Sequence, residues 1–290
     1  MTPEALCLFF FAGILSVHLD DGRLCLQANL KDFVPRSFYL LGLSALAGAL
    51  SGLASAVFLH ALELVTAVRL LNPILIWTLP FDGLLLGWLY FRFAGTAARG
   101  HNLILDEIHD PKEIVPARMA PFVLFGSLLT HLGGGSAGRE GAAVQIGAAL
   151  ADQLGRVRSL SKEERRALLM AGAGAGFGSA IGTPIAGIVF GIEMIHAGRL
   201  RLLALAECAL ASLVAFGVAH LARLPHVPYP KAEIPAFEWP LVPFVLGAGI
   251  VFGLTARVFV LAERSLEKIF SRLAYPSLRA FFGGLFLLLL

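Results

Sequence analysis

Residues able to do chemistry concentrate in the stretch Gly133-Gly-Gly-Ser-Ala-Gly-Arg-Glu-Gly-Ala-Ala-Val-Gln-Ile-Gly147. Glycines frame Arg139 and Glu140 just before an apolar segment of short-helix length. A carboxylate and several backbone N–H groups without intrahelical partners therefore meet at the positive end of a helix. Such an end attracts anions. A plainer alternative uses the same residues, with Glu140 as a helix N-cap and Arg139 as its exposed partner in an ordinary loop. Against it stands depth: an ionised side chain inside a bilayer is expensive unless it lines water or has a partner.

Two further acids, Glu193 and Glu207, fall in or beside apolar stretches. Each is a candidate stop on a proton route, and each serves equally well as a helix-end or interhelical partner of Arg199 or Arg201. His60, His131 and His220 sit within apolar runs and read as packing or interface residues. No Ser/His/Asp set, HExxH or paired metal ligands appear, so an intramembrane enzyme is disfavoured. Cys7, Cys25 and Cys208 lie far apart without CxxC spacing. Neither a disulfide framework, a metal site nor a cofactor is expected.

The elements that must position these groups follow from solvent. The chain is 57% hydrophobic and 15% charged, where a soluble domain carries about 25% charged residues. Ser37 to Leu62 holds no charge, and at about 1.5 Å per residue it spans a bilayer core of about 30 Å. Charge-free runs recur at Met119 to Gly138, Ala167 to Ile192 and Pro240 to Ala256, with a less pure one from Leu202 to Ala222. A multi-pass protein of the lipid bilayer is expected, placed in the cell membrane. The net charge of +3 comes from Lys and Arg spread through short loops, as cytoplasmic connections show, and implies no nucleic-acid partner. Residues 1–36, whose apolar run Ala5 to Leu19 lacks a preceding positive region, read as a peripheral segment rather than a signal peptide.

The pattern predicts helices over Ser37 to Leu70, Phe81 to Phe93 and Ala117 to Leu132, with a polar break from Ala94 to Pro116. Three short pieces follow, Glu140 to Leu154, Glu164 to Phe177 and Thr183 to His196, each too short to cross alone. Longer helices resume over Arg199 to Ala222 and Trp239 to Ser271. Short apolar pieces split by glycine and proline are what discontinuous membrane helices look like, and they mark a site. Glycines at small-xxx-small spacing, Gly48/Gly52, Gly83/Gly87, Gly174/Gly178, Gly178/Gly182, Gly187/Gly191 and Gly249/Gly253, predict close helix packing.

Gly138-Arg-Glu-Gly141 followed by Val144-Gln-Ile-Gly147 resembles the GREGP motif and downstream VQIG of the CLC chloride channel and transporter family. Ala173 to Glu193 resembles the segment that follows them. The resemblance implies an all-α, membrane-embedded fold with inverted repeats: the first over 37–224, a proline-rich linker over 225–238, and the opening of the second over 239–290. It implies a homodimer with one pore per subunit. It also implies that Glu140 is a gating glutamate competing with anions, with Gly138 and the amides of Arg139, Gly141 and Ala142 around the anion.

Two departures from the family pattern carry weight. Where the family has GSGIP, this chain has Gly100-His-Asn-Leu-Ile104, so His101 and Asn102 replace the serine as hydrogen-bond donors to an anion; a polar loop leading into a solvated run Asp106 to Asp110 is the alternative. Where antiporters of the family carry an inner proton-accepting glutamate, this chain has Met194. The expected function is chloride movement across a membrane, with protons as a possible co-substrate. The alternatives are the fluoride-handling branch of the family and a non-transporting remnant. That last alternative follows from the C-terminus, which falls within the apolar run from Ala280 with no polar anchor and before any counterpart of the family's GxFxP segment or central tyrosine.

Overall fold

In hydrocarbon every backbone N–H and C=O must be paired within the chain, so a sequence this apolar closes its hydrogen bonds in helices. The computed structural model describes residues 15–20, 23–28, 30–156, 160–194, 202–224, 239–273 and 275–289. Strands β1 (Leu15–Asp20) and β2 (Arg23–Ala28) pair antiparallel, with Leu15 opposite Ala28. Helix α1 (Leu30–Leu71) follows, then a 3-10 turn (Pro73–Thr78) and α2 (Leu79–Leu89). A π-helical turn (Tyr90–Ala94) and a 3-10 turn (Gly95–Arg99) lead to α3 (His101–His109) and α4 (Met119–Leu132). Next come α5 (Arg139–Leu154), α6 (Lys162–Ile181), α7 (Pro184–Glu193) and α8 (Leu205–Leu221). Helices α9 (Val242–Ser271) and α10 (Pro276–Leu289) complete the order.

The helical, discontinuous architecture is the expected one; among the described residues the β1–β2 hairpin departs from it, and α1 starts at Leu30, inside the segment expected to be peripheral. Three stretches, Phe38–Leu71, Pro73–His109 and Trp239–Ser271, are long and apolar enough to cross a membrane. The expected polar break from Ala94 to Pro116 is corrected, because α3 lies inside it. Leu103, Ile104, Glu107 and Ile108 bury one face of α3, so the run Asp106 to Asp110 is solvated on one side only. Helix α6 is also longer than expected. A capping box at its start, Glu164 N to Ser161 Oγ at 3.3 Å and Ser161 N to Glu164 Oε2 at 2.7 Å, adds residues there, and Gly182 at φ +81° closes its end. At 20 residues it is about 30 Å long, but its charged opening Lys162 to Arg166 keeps it out of the three apolar spans. The linker 225–238 and the proposed partners Arg199 and Arg201 lie outside the described residues.

The chain divides into two compact units. The first comprises Met1–Ala56, Arg99–Ala120 and Glu140–Arg223. Its helices meet backbone to backbone: Gly48 and Gly52 of α1 on Ala211 and Ala215 of α8, Gly147 and Gly176 across α5 and α6 on Gly172 and Ala143, Gly174 of α6 on Gly187 of α7. A methyl group at any of these glycines would overlap a backbone atom. Lipid offers helices little hydrophobic reason to associate, so close approach supplies the dispersion contact instead. The second unit comprises Val57–Ala98, Pro121–Arg139 and Leu224–Leu290. There Gly83 and Gly87 of α2 seat against Ala280 and Ser277 of α10, and Phe81 meets Phe281 edge-on at 6.1 Å. Of the glycine pairs singled out in sequence, Gly249/Gly253 alone faces open space, since nothing lies within 4 Å of either.

One guanidinium holds the far ends of the first unit's helices. Arg165 of α6 donates to both carboxylate oxygens of Asp152 on α5, at 2.7 and 2.8 Å, and to Glu107 of α3 at 2.9 Å. Asp152 also accepts from Val115 N at 2.6 Å, while Glu107 accepts from Lys112 N and Glu113 N. The side chains of Asp152 and Glu107 are 1% and 6% exposed. By contrast the ammonium of Lys112, 3.0 Å from the exposed Asp110 carboxylate, holds that group below the usual carboxylate range; such a pair contributes little to stability. Removing one partner of a buried cluster is the costly change, about 3–5 kcal/mol, because it strands the other charges. Arg165→Met is therefore expected to lower the thermal unfolding midpoint in detergent sharply. Arg165→Lys should recover only part of the loss, since one ammonium cannot bridge two carboxylates as a planar fork does.

Candidate functional site

The motif found in sequence forms the start of α5. With Arg139 as its first residue, the amides of Arg139, Glu140 and Gly141 precede the first intrahelical hydrogen bond. Ala142 sits one position on, its side chain turned into the core at 4% exposure. Glu140 and Arg139 are partly buried, and Gly138 and Gly141 are exposed. Nothing lies within 4 Å of where a Cβ on Gly141 would stand, so the turn carrying Glu140 has an open flank.

Helix α3 begins in the same manner. Gly100 at φ +55° and ψ −129° turns the chain into it without any side-chain cap. This backbone conformation is one that only glycine adopts without strain. Leu103 N donates to Gly100 O at 3.2 Å, which leaves the amides of His101 and Asn102 at the open end. His101 is partly buried and Asn102 exposed.

Two contacts fix how these ends stand. Gly100 packs on Gln145 of α5, whose Oε1 lies 3.3 Å from an ideal Cβ there. Seven residues further along each helix, Glu107 and Asp152 share Arg165. Positions on α3 thus match positions 45 higher on α5 at both points, so the helices run parallel and in register. Their positive ends face the same way, with the start of α5 about 10 Å beyond that of α3, from roughly seven residues at 1.5 Å each. Gln145 is the site neighbour that residue-by-residue reading missed. It was visible in the sequence only as the polar member of Val144-Gln-Ile-Gly147.

The other acids lie elsewhere in the same unit. Glu193 ends α7 and Glu207 lies in the first turn of α8, both partly buried. The two helices meet at Gly191, where a Cβ would fall 2.9 Å from Cys208 Sγ. Glu207 Oε2 is buried with no hydrogen-bond partner among the described residues. Met194 directly follows α7 in helical conformation. His131 bonds Ser127 O at 2.8 Å and His220 stacks on Phe216, local contacts both. His60 is exposed.

Comparison with known proteins gives a consistent set of relatives. The family model described as voltage gated chloride channel matches residues 82–290. A chloride/fluoride channel protein of Pseudomonas syringae pv. tomato is 46% identical over 260 residues, 89% of this chain and 57% of that protein. An H(+)/Cl(-) exchange transporter of Cronobacter sakazakii is 29% identical, covering 84% of this chain and 55% of that one. The chain thus spans little more than half the length of these curated relatives. Among solved structures, a CLC-type fluoride/proton antiporter superposes with TM-score 0.82 at 31% identity, over 87% of this chain and 64% of that one. A slow cyanobacterial Cl-/H+ antiporter shares the fold, with TM-score 0.73 at 24% identity over 84% and 61%.

Gly100 gives the geometry its test. Gly100→Ala places a methyl group beside Gln145 Oε1 in a backbone conformation costing an L-residue about 1–3 kcal/mol. The expected outcome is a lower thermal unfolding midpoint in detergent.

Proposed function

The chain belongs to the voltage-gated chloride channel family, and on that footing we propose that it carries small halide anions across a membrane along a path passing the starts of α5 and α3. The observation that carries this reading is the parallel, staggered pair of helix starts, that of α3 without a side-chain cap. Each end offers two or three amides that precede the first intrahelical hydrogen bond and a partial positive charge, worth about 0.3–2 kcal/mol to an anion. A stagger of about 10 Å gives two successive stations rather than one. Glu140 belongs to the outer end, where its carboxylate and a halide compete for the same amides. Protonation releases the carboxylate and frees the end, which is the gate we assign to it.

Fluoride is favoured as the transported halide by a specific set of residues. At the inner station His101 and Asn102 stand in place of a serine hydroxyl, adding an imidazole and an amide to the backbone donors. Fluoride is the smallest and most strongly hydrated halide, so more and closer donors are needed to replace its water. The similar proteins named for chloride/fluoride and for fluoride/proton exchange support the same choice. Met194 relays no proton, so any coupled proton takes another route, for which Glu193 and Glu207 are the candidates. A homodimer in the cell membrane completes the reading.

Efflux from liposomes, with fluoride and chloride compared side by side, tests it. Glu140→Gln is expected to speed flux or erase its pH dependence. A helix cap would instead lose about 0.5–2 kcal/mol of stability and leave flux and its pH dependence unchanged, so unfolding measured beside flux separates the roles. Met194→Leu should leave any proton movement as it was. Loss of that movement in Glu207→Gln, with anion flux retained, would identify the relay.

A further inference from the structure

Leu59, Leu62, Glu63, Thr66, Ala67 and Leu70 recur at spacings of three and four, so they share one face of α1. With Arg139 that face lines a cavity of about 390 Å³, inside the range of about 300–1,000 Å³ that small-molecule sites occupy. All of these residues belong to the second unit. From Leu59 to Leu70 the face runs about 16 Å at 1.5 Å per residue, and its character changes along the way. Leu59 and Leu62 are buried at one end, whereas Glu63 and Thr66 are exposed.

Length gives the depth of these groups. The apolar span Phe38–Leu71 has 34 residues, about 51 Å at 1.5 Å per residue, against a hydrocarbon core of about 30 Å. The last turns of α1 therefore reach the headgroup layer. Trp77, exposed in the 3-10 turn that follows, is a residue type that gathers at that boundary. Glu63 and Thr66 stand near this level, with Leu59 and Leu62 on the hydrocarbon side.

Two charges of opposite sign thus line a largely apolar space without meeting. Glu63 makes no ion pair among the described residues. The guanidinium of Arg139 carries five N–H donors, enough for more than one acceptor. Thr66 Oγ1 donates to Leu62 O at 2.7 Å, which leaves its oxygen able to accept. Water or a small cation in the cavity would satisfy the carboxylate and leave Leu59 and Leu62 facing a polar filling.

We propose that this cavity holds one phospholipid of the phosphatidylethanolamine class. The lipid phosphate meets Arg139, the ammonium two carbons away donates to Glu63 and Thr66, and the start of one acyl chain covers Leu59 and Leu62. A choline headgroup has no N–H to give the carboxylate, and a glycerol headgroup brings no cation. Ethanolamine is the headgroup that satisfies both charged side chains. Binding of the lipid does not depend on halide transport.

Thermal unfolding of the purified chain is followed in dodecyl maltoside micelles doped with dioleoyl phosphatidylethanolamine, phosphatidylcholine or phosphatidylglycerol. Stabilisation by a ligand grows with the logarithm of its concentration over Kd. The ethanolamine lipid is expected to raise the midpoint at a lower mole fraction than the other two. Glu63→Gln should raise the fraction of ethanolamine lipid needed by about fivefold, the value of one partly exposed ion pair, and leave the choline response where it was. Ala67→Phe, which keeps every charge and fills the cavity, should remove the preference as well. A wild type that responds to all three lipids alike, or that prefers the glycerol lipid, overturns the site. So does a preference that survives Glu63→Gln. Should that variant fail to fold, survival of the preference in Ala67→Phe overturns the site equally.

Discussion

A guanidinium shared by two carboxylates on different helices governs the arrangement of the first unit. Arg165 ties Asp152 of α5 to Glu107 of α3 at one end, and the seven residues back to Gln145 and Gly100 bring both helix starts out on the same side. A slip of one residue at the clamp would move the start of α3 by about 1.5 Å along α5 and turn it by about 100°. His101 and Asn102 would then face a different wall. The clamp is buried, saturated with hydrogen bonds and two-sided, and so it acts as a register pin rather than a general stabiliser. A net gain in stability is not what such clusters reliably bring; a unique alignment is what this one supplies.

Much of this was legible in the chain. The motif at Gly138 to Gly141 announced α5, because glycines before an apolar run leave only one reading at membrane depth. Ser161 and Glu164 carried the start of α6 in plain view as a capping box. The sequence reading nevertheless placed that start at Glu164, where the apolar pattern begins. Helix α3 was hidden for a physical reason: its nine residues hold two turns of amphipathic pattern, and its central acid looked solvated. Glu107 is buried only because Arg165, 58 positions on, arrives to pair with it. No local signal encodes such a partner. The same holds for Gln145, whose importance comes from Gly100 lying against it.

Small-residue spacing proved informative but not sufficient. Gly48, Gly52, Gly83, Gly87 and Gly174 each accept a neighbouring backbone, whereas Gly249 and Gly253, with the same spacing, meet nothing. Spacing states that a backbone can approach. Whether one does depends on a partner with small residues at matching heights, as Ala211 and Ala215 provide for Gly48 and Gly52. Gly182 shows a third use of the same residue, terminating α6 in the left-handed region instead of packing.

The parallel course of α3 and α5 leaves a local frustration built into the fold. Antiparallel neighbours would cancel their peptide dipoles; these two place partial charges of about +0.5 near one another. At an effective dielectric of about 20 and a separation of about 10 Å, that repulsion is roughly 0.4 kcal/mol, small but acting whenever the ends are bare. Nothing in the backbone can relieve it, because the clamp at Arg165 forbids either helix to reverse or slide. Only negative charge brought between the ends does so, and the chain carries one carboxylate, Glu140, in the first turn of α5. In the transport reading proposed above, the unoccupied pathway is the conflicted state, and the ion serves, during its stay, as a missing piece of the protein's own architecture.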